Sequence, residues 1–172
     1  LCDGYLRAET DAVIRERIMG MKKVLFVCHG NICRSTMAEF VMKDMVAKAG
    51  LTEEILVESK ACRTDEIGSD THPGTKRVLT AHGVPFTPRQ ARQIRRSDYE
   101  DYDLIVAMDE ENMRDLSKLT GGDPQGKCHL LLEYAGEARE VADPWYTGNF
   151  EVTYADVTKG CRFLLDKIKP MR

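Results

Sequence analysis

A cysteine and an arginine six positions apart, Cys28 and Arg34, have the types and spacing that point most directly to chemistry. They flank a short, turn-prone loop (residues 29–33, the anion loop) that contains Gly30 and Asn31, two residue types that tolerate positive φ. The backbone amides of such a loop form a nest for an oxyanion, and the Arg34 guanidinium suits a bidentate phosphate. This positive field stabilises a thiolate at Cys28, to which Ser35 can donate a hydrogen bond. The pattern predicts phosphoryl transfer through a phosphocysteine.

The elements that flank the anion loop support this interpretation. Residues 23–27 form a continuous apolar run, typical of a strand buried on both faces of a sheet. Apolar residues recur at helical spacing from Thr36 onward, where Thr36 and Glu39 fit a capping box and Gly50 marks the helix end. Cys28 then lies at the carboxyl end of a strand, the edge at which open α/β sheets bind ligands. The spacing alone is common by chance, so the surrounding elements carry the prediction.

The rest of the chain alternates between strands and helices. Apolar runs over 55–59, 104–108 and 128–132 predict three further strands, with helices over 73–82 and 110–119 and at the C-terminus. The alternation predicts an α/β fold: a single domain with a four-stranded, parallel, doubly wound sheet, helices on both faces and the phosphate-binding loop after the first strand. A basic cluster followed by acidic residues is interpreted as a solvated helical face, with a docking surface for an acidic substrate segment as the alternative; its arginines are Arg89, Arg92, Arg95 and Arg96.

Composition limits the class of protein. The chain has 172 residues, of which 42% are hydrophobic and 31% charged, and a net charge of −3. These values fit one globular domain and give no support for a nucleic-acid partner. No apolar run approaches the ~18–20 residues of a membrane span, so no membrane partner is predicted. The six cysteines indicate reduced thiols in a cytoplasmic protein, and none has the spacing of a metal site.

A second informative stretch is the run Asp143-Pro144-Trp145-Tyr146. It places an acid on a loop beside two aromatic rings that could form the wall of a cleft for an aromatic substrate. The alternative is a surface turn covered by an aromatic side chain.

These two stretches, with Met108-Asp109 and Ala91-Arg92-Gln93, resemble the low-molecular-weight protein tyrosine phosphatase family. The resemblance implies a phosphatase domain over 21–172, preceded by an N-terminal extension over 1–20 that is either a partner-binding helix or an artefact of the start site. It also implies a substrate that is a tyrosine-phosphorylated protein or peptide, no cofactor, no metal, and a monomer or weak homodimer.

The resemblance also implies roles for individual residues. Cys28 is the nucleophile, Arg34 binds the phosphoryl group, and Asp143 is the general acid and then the base. Cys33 is the partner of a reversible disulfide with Cys28 that protects the nucleophile from irreversible oxidation. The residues that bind phosphate or support the loop are His29, Gly30, Asn31, Ile32, Cys33, Ser35, Ser59 and His82, and those of the substrate cleft are Asp65, Trp145 and Tyr146.

Departures from the family pattern leave alternatives open. Thr36 stands where many relatives have proline, and Asp65 where an aromatic residue often contacts the substrate ring, so the substrate preference is not fixed. An arsenate reductase would need further cysteines after the second helix, and residues 83–102 contain none. Protein arginine phosphatases usually carry threonine where this chain has Ile32, which favours an aryl ester. A noncatalytic phosphoprotein-binding module would not need Cys28 and Asp143 together.

Overall fold

The fold is organised around one parallel sheet. The computed structural model describes residues 20–171, so the predicted extension lies outside the described residues except for Gly20. The four strands are β1 (Lys22–Cys28), β2 (Ile55–Ala61), β3 (Leu104–Ala107) and β4 (Cys128–Leu130), in the spatial order β2-β1-β3-β4. All neighbouring pairs are parallel, as predicted.

Helices follow the strands as the alternation predicts. In chain order they are α1 (Arg34–Lys48), α2 (Pro73–Ala81), α3 (Asp98–Asp101), α4 (Glu110–Thr120), α5 (Pro144–Thr147) and α6 (Phe150–Ile168). A 3-10 helix over Leu131–Ala135 directly follows β4, so that strand ends two residues earlier than the apolar run suggests.

Two apolar cores lie on the two faces of the sheet. Successive residues of β1 point to opposite faces, so Val24 and Phe26 join the core beneath α1 and α6, whereas Leu25 and Val27 join the core beneath α4. All four side chains are fully buried. The prediction of a doubly wound single domain with helices on both faces is therefore confirmed.

The predicted start of the first helix is wrong. The helix begins at Arg34, and Thr36 Oγ1 donates back to the carbonyl oxygen of Ile32 at 2.9 Å instead of capping a free amide. The Glu39 carboxylate accepts from Ser59 Oγ at 2.6 Å and forms no capping box. The helix therefore starts directly after the anion loop. Its other end agrees with the sequence, since Gly50 has a φ of 71° just beyond the last turn.

The basic cluster is not a solvated helical face. Only α3 is helical there, and the backbone of Arg92 and Ile94 pairs with Ala61 at the end of β2, at 2.7 and 2.8 Å. Asp98 is buried and accepts from Lys60 Nζ at 2.8 Å. Part of this charged stretch is therefore held by contacts distant in the chain, which a local pattern does not reveal, while Arg92, Arg95 and Arg96 remain exposed.

Gly160 allows α6 to approach the 3-10 helix closely. A Cβ at this position would lie 2.4 Å from Leu131 Cγ, far inside van der Waals contact. Because Leu131 is fully buried, its side chain has little room to move away.

Replacement of Gly160 by alanine tests this contact. Helix propensity alone would stabilise the protein by ~1 kcal/mol, but overpacking against Leu131 should lower the free energy of unfolding by ~1–3 kcal/mol. In a Leu131→Ala background, which itself costs ~2–5 kcal/mol, Gly160→Ala should become neutral or stabilising. Urea unfolding of the four proteins measures both effects, and an equal effect of Gly160→Ala in the two backgrounds would contradict the packing argument.

Candidate active site

The anion loop joins β1 to α1 and brings the two ends of the cysteine–arginine motif together. Cys28 is the last residue of β1 and is only 3% exposed. Its Sγ lies 3.1 Å from the Oγ of Ser35, which belongs to the first turn of α1. The strand therefore presents the sulfur at the amino end of a helix, where the helix dipole favours a negative charge.

Asn31 supports the anion loop from inside. Its backbone has a φ of 60°, in the left-handed region that asparagine tolerates better than most residues. Its Nδ2 donates to Ser35 Oγ at 2.8 Å and to Ser59 Oγ at 2.9 Å, and Ser59 donates in turn to Glu39. Since Ser35 Oγ accepts from Asn31, its hydroxyl proton is free to point at Cys28 Sγ. The structure thus brings Asn31, Ser35 and Ser59 together beside the sulfur.

Arg89 is a loop-supporting residue that sequence reasoning missed. Its Nη1 donates to the Asn31 carbonyl oxygen at 3.1 Å, and its Nη2 donates to Asn31 Oδ1 at 2.9 Å and to the Ser59 carbonyl oxygen at 3.3 Å. Burial is the main cause that lowers the pKa of Arg89 from its usual value, although the nearby Glu39 opposes this. The residue belongs to the basic cluster, and nothing in the local pattern separates it from its neighbours.

Arg34 is a buried cation at the exit of the anion loop. Its side chain is 3% exposed. Nη1 donates to Asp109 Oδ2 at 2.7 Å and to the Val141 carbonyl oxygen at 3.0 Å, while Nη2 donates to Asp143 Oδ2 at 3.2 Å. Burial by itself lowers the pKa of the Arg34 guanidinium, but the negative groups around it outweigh this and raise it. Arg34 is therefore a permanent positive charge held among acceptors.

Asp109 also acquires a role here that the sequence did not assign. One carboxylate oxygen accepts from the backbone N–H of Asn112 and so caps α4, at 2.8 Å, while the other pairs with Arg34. A signal was present, because Asp109 follows β3, the neighbour of β1 in the sheet. Carboxyl ends of adjacent parallel strands meet at one edge, so an acid there lies near the anion loop.

Hydrogen bonds with nearby backbone groups hold Asp143 at the mouth of the site. Its Oδ1 accepts from the Trp145 N–H at 3.0 Å and so caps the short helix α5, with Pro144 in the first helical position. The preceding segment is joined to the end of β3 through the Val141 N–H and the Met108 carbonyl oxygen, at 2.9 Å. These contacts direct the other carboxylate oxygen of Asp143 toward Arg34.

A cleft opens above the anion loop and contains most of the predicted site residues. The side chains of Trp145 and Tyr146 at its mouth are 59% and 85% exposed, in contrast to the buried Cys28 and Arg34. The cleft therefore has the Arg34 guanidinium at its buried end and two aromatic rings at its mouth. The residues that line the cleft are Cys28, His29, Gly30, Ile32, Cys33, Arg34, Asp65, Glu66, Asp143, Trp145 and Tyr146.

The prediction that His82 supports the anion loop is wrong. His82 follows the last residue of α2, where its Nε2 lies 2.9 Å from Glu151 Oε2 and its ring stacks on Tyr154 of α6. The helix end directs this side chain toward α6. His72, which precedes α2, contacts the anion loop instead. Its backbone N–H donates to the Ile32 carbonyl oxygen at 2.8 Å.

His72 also supports the aromatic rim. Its ring stacks on Phe150 with centroids 5.1 Å apart and meets the Trp145 ring edge-on at 5.9 Å. A Cβ at Gly74 would clash with the Phe150 ring at 2.4 Å, so the glycine makes room for this stack. The sequence predicted only that a helix begins at Pro73 and assigned no role to His72 or Gly74.

The remaining thiols differ from Cys28 in their surroundings. Cys33 is buried at the start of α1, and burial, with a contribution from the nearby Cys28, raises its pKa to about 12. Burial also raises the pKa values of Cys62 and Cys161, and that of Cys128 to about 12. These three thiols are free and packed in the apolar cores.

Comparisons with known proteins agree with this geometry. The family model described as "Low molecular weight phosphotyrosine protein phosphatase" matches residues 23–171. Low molecular weight protein-tyrosine-phosphatase YfkJ of Bacillus subtilis is 40% identical over 151 residues, which are 87% of this chain and 97% of that protein. PtpA of Staphylococcus aureus is 37% identical over 149 residues, covering 86% of this chain and 94% of that protein.

Solved structures show the same likeness in three dimensions. The crystal structure of YfkJ superposes with a TM-score of 0.84 over 87% of this chain and 95% of that chain. The crystal structure of DARP, a Drosophila arginine phosphatase, is 30% identical with a TM-score of 0.78 and covers 87% of this chain and 99% of that one.

The relatives identify the chain as an enzyme of the hydrolase class. The chain belongs to the low-molecular-weight protein tyrosine phosphatase family. Within residues 20–171, no helix has both the length and the apolar character needed to cross a lipid bilayer.

Substitution of Asn31 separates its backbone role from its side-chain role. Asn31→Gly keeps the positive φ but leaves buried partners unsatisfied, so it should lower the free energy of unfolding by ~2–4 kcal/mol. Asn31→Ala should cost ~1 kcal/mol more, because a Cβ disfavours this backbone conformation.

Chemical unfolding of these variants measures the difference. Asn149→Ala is the matched control, since this exposed residue only caps α6 through the Val152 N–H and should cost ~1 kcal/mol. Equal losses for glycine and alanine at position 31 would show that the backbone conformation does not matter.

Proposed function

We propose that this protein hydrolyses phosphotyrosine in proteins or peptides through a phosphocysteine on Cys28. The observation that carries the proposal is that Arg34 contacts Asp143 directly while Cys28, Arg34 and Asp143 line the same cleft. The nucleophile, the phosphate-binding cation and the acid thus converge although the acid lies 109 residues after Arg34. The names of the relatives YfkJ and PtpA, which are called protein-tyrosine-phosphatases, support this substrate class.

In the first step, the Cys28 thiolate attacks phosphorus and the bond to the tyrosyl oxygen breaks. Asp143, entering as a carboxylic acid, gives its proton to the leaving phenolate, which would otherwise depart as a strong base. The loop amides and Arg34 stabilise the charge on the three equatorial oxygens of the phosphoryl group. The Ser35 hydroxyl stabilises the thiolate before the attack by donating a hydrogen bond to the sulfur.

In the second step, the Asp143 carboxylate takes a proton from a water molecule, and the water oxygen attacks phosphorus. The sulfur–phosphorus bond breaks, and Cys28 returns as a thiolate that Ser35 and the start of α1 stabilise. Inorganic phosphate leaves. The same carboxylate therefore acts as acid and then as base, in the order that microscopic reversibility requires.

The neighbouring thiol supports a protective reaction. Peroxide would convert the Cys28 thiolate to a sulfenic acid, and condensation with the Cys33 thiol would form a disulfide and release water. Because burial raises the pKa of Cys33 to about 12, its thiol stays protonated and is not itself the target of peroxide. A thiol reductant then restores both residues.

Phosphoarginine is the second candidate substrate, and the likeness to the Drosophila arginine phosphatase DARP favours it. Ile32 argues for the aryl ester instead. Its apolar side chain lines the cleft between Cys28 and Arg34, where it can pack on an aromatic ring but offers no hydrogen bond to a guanidinium.

Removal of the acid should affect poor leaving groups most. Cys28→Ser should abolish turnover, and Asp143→Asn should lower kcat/KM by ~10²–10⁴ for phenyl phosphate. The loss should be much smaller for an activated nitrophenyl ester, whose phenolate needs little protonation.

Steady-state kinetics with a series of aryl phosphates measures this dependence. Glu140→Gln, an exposed carboxylate on the same connecting segment that does not line the cleft, is the control and should behave as wild type. Residual turnover in the Cys28→Ser protein, or a loss at Asp143→Asn independent of the leaving group, would refute the mechanism.

Ile32→Thr tests the choice between the two substrates. The wild type should prefer a phosphotyrosyl over a phosphoarginyl peptide, and the variant should reduce this preference by about tenfold, the effect of small changes in an apolar pocket. Parallel kcat/KM measurements decide this. Ile67→Thr is the control, because Ile67 is exposed and lies outside the cleft. If the wild type preferred the phosphoarginyl peptide, phosphoarginine hydrolysis would replace phosphotyrosine hydrolysis as the function.

A further inference from the structure

The imidazole of His29, next to the nucleophile in the chain, lies between two carboxylates. Its Nε2 contacts Asp65 Oδ2, and its Nδ1 is 3.3 Å from Glu111 Oε1. Asp65 belongs to the connection between β2 and α2, whereas Glu111 belongs to α4. His29 therefore joins three separate segments at the cleft, which both it and Asp65 line.

The chemistry of this arrangement requires a protonated ring. An ionised carboxylate only accepts hydrogen bonds, and a neutral imidazole has a single N–H. Both contacts are hydrogen bonds only if both ring nitrogens carry a proton, so the geometry assigns an imidazolium to His29. The hydrogen bond to Asp65, aided by Glu111 and opposed by partial burial, accordingly raises the pKa of His29 above its usual value of about 6.5.

The main chain strengthens the connection between His29 and the segment that carries Asp65. The N–H of Arg63 donates to the His29 carbonyl oxygen, and the N–H of Cys62 donates to that of Cys28, both at 2.9 Å. Asp65 itself has no such backbone contact with the anion loop among the described hydrogen bonds. Its carboxylate is held at the cleft by the imidazole.

Other charges around the imidazole do not replace this contact. Arg63 is 3.5 Å from Glu111 and also pairs with Asp115 of α4, at 2.8 Å. Glu66 also lines the cleft, so it adds negative charge near its mouth. Asp143 and Arg34 pair with each other within the cleft. Without the proton on His29, the carboxylates of Asp65 and Glu111 would face one another with a single N–H between them.

We propose that His29 is a positioning residue that, as an imidazolium, holds the Asp65 carboxylate at the cleft and neutralises the rim for an incoming phosphate monoester. The inference rests on the proposed phosphatase function. A substrate dianion gains from the positive ring and is repelled by an uncompensated carboxylate. The contact is complete below the pKa of the folded-state imidazole and is lost as the pH rises through it, so KM should rise on the alkaline side.

The protonation state is testable without turnover. NMR titration with ¹⁵N-labelled histidine should show both His29 ring nitrogens protonated below a titration midpoint whose pKa lies above 6.5, the assignment coming from the His29→Gln protein. Asp65→Asn and Glu111→Gln should each lower that pKa. A pKa at or below 6.5, or one that neither substitution moves, would overturn the assignment.

The effect on substrate binding is tested by the pH dependence of KM for a phosphotyrosyl peptide. In the wild type, KM should rise by about threefold to fivefold as the pH passes the His29 pKa, a size that suits a partly exposed ion pair. In His29→Gln the KM should already be raised at neutral pH and lack this rise, with a smaller change in kcat. His29→Lys keeps its charge at alkaline pH and should show a lower KM there than the wild type.

His129→Gln is the matched control. His129 also lies near a carboxylate, Glu133, and its side chain has the same 38% exposure, but it does not line the cleft. It should follow the wild-type profile. An alkaline rise in KM that persists in His29→Gln would sink the proposal. A product burst that requires Cys28 in the same preparations would show that the phosphatase mechanism holds even then.

Discussion

The buried positive charge of Arg34 is the constraint on which the rest of the site depends. A cation this deep in a protein costs several kcal/mol unless acceptors surround it. The acceptors come from Asp109 after β3 and from Val141 and Asp143 in the connection before α5. They can meet at one point because parallel strands end at a common edge. The sheet therefore brings together the acceptors that stabilise the Arg34 charge. That charge in turn holds the segment that carries Asp143.

A second constraint is the direction of the hydrogen bonds around the anion loop. The Arg89 guanidinium can only donate, so its contact with Asn31 Oδ1 determines which way the Asn31 amide points. The amide N–H groups then face Ser35 and Ser59, whose own protons must point elsewhere, toward Cys28 and Glu39. A lysine at position 89 could not donate to the carbonyl oxygen and Oδ1 of Asn31 with the planar geometry of a guanidinium. The proton that stabilises the sulfur is thus oriented from a segment far along the chain.

The parts of this structure that follow from local pattern were predictable from the sequence. Apolar runs that alternate with helical segments predict the parallel sheet. The residues between Cys28 and Arg34 predict the loop, because they are close in sequence and form it locally. Arg89 and Asp109 were not assigned because their partners lie 58 and 75 residues away, and only the folded sheet brings them together. The same limit explains the error at the first helix, since Glu39 finds a partner in Ser59 instead of capping its own helix. The error at His82 came from the family resemblance, because in this chain the His82 side chain points toward α6.

The cleft also carries opposite charges at different depths, which bears on the substrate proposed above. The Arg34 guanidinium lies at the buried end of the cleft, whereas Glu66 and the His29–Asp65 pair lie with the exposed rings of Trp145 and Tyr146 nearer its mouth. A phosphate group gains little at the mouth and most of its binding energy at the bottom, where water is excluded. The group that carries the phosphate must therefore reach from the buried end of the cleft to the aromatic rim. A phenyl ring meets that requirement by length, rigidity and stacking, and a short alkyl ester such as phosphoserine does not reach as far.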